Sequence, residues 1–154
     1  MTIWRNIIET GDIKVVPERM SSEESGDAEE NDICSVLMYA AEKGDFDLVK
    51  TLIEKGADVR HGNKKGVTPL MCAISGNNTA VFRLLLEKGA DVDAQTNSGL
   101  TALMATSLTG KTEFVKLLLE AGANPDATSK CGKKASDYAR DGGYDEIAAL
   151  LESL

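Results

Sequence analysis

The segments "LIEKGADV" from Leu52, "LLEKGADV" from Leu85 and "LLEAGANP" from Leu118 each begin 33 residues after the last. A fixed period of this length constrains the chain more than any other signal. It marks short structural units that cannot bury an apolar face alone and therefore stack on their neighbours.

Between the glycines, each unit carries two apolar patterns. In the unit that starts at Gly66 they are Leu70, Met71, Ala73 and Ile74, then Val81, Phe82, Leu84, Leu85 and Leu86. Spacings of three and four place each set on one face of a helix. Runs of about ten residues do not hold as isolated helices in water, so packing on each other and on the next unit must stabilise them. Thr68 followed by Pro69 reads as a helix start: the hydroxyl accepts from an exposed amide, and proline at the first helical position loses no needed donor. Gly56, Gly89 and Gly122 read as the ends of second helices, where a left-handed residue is wanted. Asp58, Asp91 and Asn124 then favour a turn by bonding their own backbone. Segments such as "VRHGNKKGV" and "VDAQTNSGL" are polar tips between helix pairs, hairpin-like fingers.

Composition narrows the function classes. No segment approaches the roughly 18 uncharged apolar residues of a membrane span, and the start "MTIWRNIIETGD" does not read as a secretory signal. Cys34, Cys72 and Cys131 are odd in number and scattered, with neither metal-site nor disulfide spacing. They point to a reducing, cytoplasmic setting, with two small buried hydrophobes and one surface thiol. Of the net charge of -8, residues 1–33 hold -6, nine acidic groups against three basic ones. Such a chain repels nucleic acid and anionic membranes, and neither is expected as a partner.

The stretch "GVTPLMCAISGNNTAVFRLLLEKGADV" resembles an ankyrin repeat: Gly-x-Thr-Pro-Leu, small residues, a turn, x-x-Leu-Leu and Gly-Ala-Asp. The resemblance covers residues 33–154 as four units, 33–65, 66–98, 99–131 and 132–154. It implies an all-α ankyrin-repeat solenoid of stacked helix-turn-helix pairs with finger loops. Terminal units face water on one side and lose apolar positions. Ser136 and Asp137, standing where Leu70 and Met71 stand, accordingly mark the last unit as a C-terminal cap. Met71 and Met104 replace the family's histidine and with it a common hydrogen bond between neighbouring loops. Residues 1–32 read as a degenerate N-terminal capping repeat, with Trp4, Ile7 and Ile8 on the next helices and "SSEESGDAEEND" as a mobile acidic loop. That loop could lie against the basic finger from Arg60 to Lys65. Met1 and the helix before Leu154 suggest a complete unit.

No catalytic constellation is present. His61 is the single histidine, and there is no nucleophile elbow, phosphate loop or zinc-binding helix motif. The chain is not expected to be an enzyme or to carry a metal or cofactor. The resemblance implies a protein-binding module, acting as a monomer, with partners on the fingers and the exposed side of each first helix. Carried over by position, the candidate contacts are Arg60, Lys64, Lys65, Val67, Asn97, Ser98, Leu100, Leu108, Thr109, Lys130 and Lys133. Leu100, Leu108 and Val67 form an apolar centre rimmed by lysines, which suits an acidic segment with hydrophobic anchors. The alternative is an inhibitor of a partner enzyme, such as a protein kinase.

Overall fold

The computed structural model describes residues 33–154, and those residues form eight helices and no strands. The expectations for residues 1–32, including the degenerate repeat and the acidic loop, lie outside the described residues. The described residues divide into two compact units, residues 33–64 with 68–89 and residues 65–67 with 90–154.

In the first unit, α1 (Ile33–Lys43) and α2 (Phe46–Glu54) form one pair, and α3 (Pro69–Ser75) and α4 (Thr79–Glu87) the next. Helix α1 packs on α3, and α2 on α4. Val36, Leu37, Ala40 and Ala41 of α1 are buried, as are Leu48, Val49 and Leu52 of α2. Leu70, Ala73 and Ile74 of α3 meet the buried Val81, Phe82, Leu84 and Leu85 of α4 in the same core. Each large apolar side chain so buried contributes about 1.5–3 kcal/mol. Small residues set the spacing of the first helices. Ala40 and Ala73, 33 apart, are both fully buried, and a methyl group added at Gly76 would run into the Glu42 carbonyl.

The starts are capped as the composition suggests. Thr68 Oγ1 accepts from the Met71 amide at 3.4 Å, with Pro69 opening α3. Asp45 Oδ1 accepts from Leu48 N at 3.1 Å, and Asn78 Oδ1 from Val81 N at 2.9 Å. Each such cap is worth about 1 kcal/mol. The ends also agree, since Gly56, Gly89 and Gly122 have φ of 95°, 87° and 86°.

In the second unit, α5 (Ala102–Thr109) and α6 (Thr112–Glu120) are followed by α7 (Ala135–Asp141) and α8 (Asp145–Glu152). Helix α5 packs on α7, and α7 on α8. Leu103, Met104, Phe114, Val115 and Leu118 are at most 2% exposed, so Met104 is a core residue where the family pattern has histidine. Two hydroxyls are buried in α5, and both are satisfied locally. Thr106 Oγ1 donates to the Ala102 and Leu103 carbonyls, and Ser107 Oγ to Leu103 at 2.7 Å. Among the described residues no buried side-chain nitrogen or oxygen lacks a partner, as a low-dielectric core requires.

Candidate protein-binding face

Nine of the eleven candidate contacts lie in the second unit; Arg60 and Lys64 lie in the first. Arg60 is exposed, yet its Nε donates to the Gly89 carbonyl at 2.7 Å, and its own amide donates to Asp58 Oδ1 at 2.9 Å. The side chain thus closes the end of α4 as well as carrying charge. His61 is exposed beside it.

The fingers of the second unit are built by backbone pairing at the repeat spacing. Asn97 N donates to the Lys65 carbonyl at 2.9 Å, and 33 residues on, Lys130 N donates to the Ser98 carbonyl at 3.1 Å. Inside each finger, Thr96 N donates to Leu100 O at 2.9 Å and Ser129 N to Lys133 O at 3.0 Å. The Gln95 amide bridges neighbouring loops, donating to Gly99 O at 3.3 Å and Thr128 O at 3.4 Å. It supplies a loop-to-loop bond of the kind lost with the missing histidine. The backbone of Asn97, Ser98 and Lys130 is therefore committed to stacking, while all three residues remain exposed.

The apolar centre is only partly open. Val67 and Leu100 are half-buried, whereas Leu108 on α5 is 42% exposed. Thr109 beside it is exposed, but its hydroxyl donates back to Ala105 O at 2.8 Å. The expected basic rim divides. Lys65 and Lys130 are exposed at the tips, while Lys133 Nζ lies 2.6 Å from Asp141 Oδ2. The hydrogen bond from Lys133 to Asp141 and the carboxylate's charge hold this ammonium above the usual lysine range. Lys134 is paired in the same way with Asp126 at 2.7 Å. Both pairs are solvent-exposed and screened by salt; they tie the last finger to α7, helped by Tyr138, whose hydroxyl donates to Ser129 Oγ at 3.0 Å.

The sequence reading missed Tyr144. It is 39% exposed and precedes α8 without a side-chain cap. Its ring lies against the backbone of Gly110, where an added methyl would meet the ring carbons. The signal was in the register: Asp45, Asn78, Lys111 and Tyr144 stand 33 apart. Asn78 likewise reaches back in the first unit, its Nδ2 donating to Gly44 O at 3.4 Å.

The cysteines separate as their surroundings dictate. Cys34 is buried, Cys72 half-buried and Cys131 exposed at a finger tip. Burial, with the nearby Glu42 carboxylate, pushes the Cys72 thiol up to about 12. Thiolate is the reactive form, so near pH 8 an Ellman titration of the folded protein is expected to show one prompt thiol, lost in Cys131→Ser. The other two appear only on unfolding.

Among the described residues no group of three or more His, Cys, Asp or Glu side chains could hold a metal ion, and no helix is long and apolar enough to cross a membrane. A family model described as ankyrin repeats (3 copies) matches residues 7–96 and again 88–153. No curated protein matches the chain closely enough to count as a relative. Ankyrin repeats are generally protein–protein interaction modules and typically non-catalytic. With helix pairs every 33 residues, capped starts, left-handed glycine ends and this match over most of its length, the chain belongs to the ankyrin repeat family.

Proposed function

We propose that the chain is a non-catalytic recognition module that holds an acidic segment of a partner protein, with a hydrophobic anchor, across the fingers and first helices of the second unit. The observation that carries this reading is Leu108, a large apolar side chain 42% exposed on a first helix. Half-buried Leu100 extends the apolar surface, and exposed Lys130 at the finger tip supplies positive charge. An apolar anchor at one end of α5 and positive charge at the finger tips beyond the other suit an extended protein segment: desolvation of the anchor supplies affinity and the charge speeds encounter. Lys133 contributes less than Lys130, because a ligand carboxylate must compete with Asp141. The same reading has the protein act as a cytoplasmic monomer.

The test compares two baits in cell extract, the intact chain and Leu100→Ala/Leu108→Ala/Lys130→Glu, with helical content checked by circular dichroism. A partner held by the first bait and lost from the second is the expected result. Equal recovery by both would overturn this placement of the face.

A further inference from the structure

Two of the four large hydrophobic side chains left exposed among the described residues, Leu108 and Tyr144, belong to one edge of the second unit, where the Leu108 carbonyl and the Tyr144 ring both flank Gly142. This is the turn edge, opposite the finger tips along α5. A methyl group added at Gly142 would touch both the Leu108 carbonyl and the Tyr144 ring, and one added at Gly110 would also meet the ring. The ring therefore rests on backbone, held in place yet still open to solvent.

The charge at this edge is opposite to that at the tips. Asp145 and Glu146 follow Tyr144 in the first turn of α8; both are exposed, and neither is in an ion pair among the described residues. Several cations of the same unit are already engaged. Arg140 pairs with Glu152 and with Asp137, Lys133 with Asp141, and Lys111 Nζ stands 5.9 Å from the Phe114 ring centroid. An exposed aromatic ring beside two uncompensated carboxylates is the chemistry that takes a guanidinium: its plane stacks on the ring and its donors reach the carboxylates.

We infer that the turn edge formed by Leu108, Tyr144, Asp145 and Glu146 seats an arginine of the partner segment. This rests on the segment-binding reading above and adds a direction and a spacing to it. Helix α5 has eight residues, about 12 Å at 1.5 Å per residue. An extended chain covers that length in about four residues. The recognised segment thus carries a carboxylate for the Lys130 tip, an aliphatic side chain over Leu108, and an arginine about four or five residues from the carboxylate.

An array of random octapeptides, probed with the purified full chain, tests this. The expected selection places arginine, favoured over lysine, about four or five positions from Asp or Glu with an aliphatic residue between them. Two variants are probed in parallel. Tyr144→Asn installs the residue that caps α4 two registers earlier, and Asp145→Asn/Glu146→Gln removes the two charges. Each is expected to weaken arginine-bearing peptides about 3- to 10-fold while keeping the preference for an acid, which Lys130→Glu removes instead. Selected peptides with an acid and an aliphatic residue but no arginine would overturn the inference and leave the segment-binding reading standing. An arginine preference untouched by both variants would also overturn it. Failure to select any peptide would sink both.

Discussion

Phe114→Ala is expected to lower the unfolding free energy by about 3–5 kcal/mol, a large fraction of what a domain of ordinary stability possesses. Phe114 is 2% exposed. It lies on α6 in a core shared with Val115, Leu117 and Leu118, and its removal leaves a cavity that short helices held only by packing cannot close cheaply. Urea unfolding followed by circular dichroism reads the effect. Phe46→Ala is the matched control: the same deletion at a side chain 41% exposed is expected to change stability by no more than about 0.5 kcal/mol. Similar midpoints for the two variants would refute the packing described for the second unit.

The second large effect is expected at Gly99, where two penalties add. Gly99 has φ of 77°, and a Cβ there would stand 2.8 Å from Lys130 N. Alanine suffers the left-handed backbone, about 1–2 kcal/mol. It also pushes away the finger whose Lys130 amide donates to Ser98 O, a further loss of about 1 kcal/mol or more. Gly132 separates the two contributions. Its φ is 75°, but nothing lies within 4 Å of its added Cβ, so Gly132→Ala retains the backbone penalty alone. Thermal unfolding should place Gly99→Ala below Gly132→Ala, and both below the parent. Equal melting points would mean that the fingers do not lean on one another as closely as the geometry has them.

The parts of this fold legible in the sequence are those governed by neighbours along the chain. Thr68 and Pro69, the glycines at 56, 89 and 122, and the Asx turns at Asp58, Asp91 and Asn124 act within a few residues of themselves, and each stands where its chemistry put it. The exposed Leu108 was legible too, because the repeat register shows which helix positions face inward. What escaped depends on distances between backbone segments far apart in sequence. A ring at position 144 reads as an ordinary helix start until Gly110 is seen beneath it. Lys133 reads as a free cation until Asp141, eight residues away, is found within reach. Arg60 reads as finger charge, yet its reach to the Gly89 carbonyl spans 29 residues.

The paired fingers have a consequence for how the chain finds its structure. In each unit the helices in firm contact are neighbours or next neighbours in chain order, and the bonds between fingers join residues 32 apart, one short of a period. No step of assembly within a unit closes a loop much longer than a single repeat, so the entropic toll of each closure stays small and nearly constant. Order can begin at any helix pair and spread to the adjoining one, a zipper rather than a search, and the fingers act as its teeth.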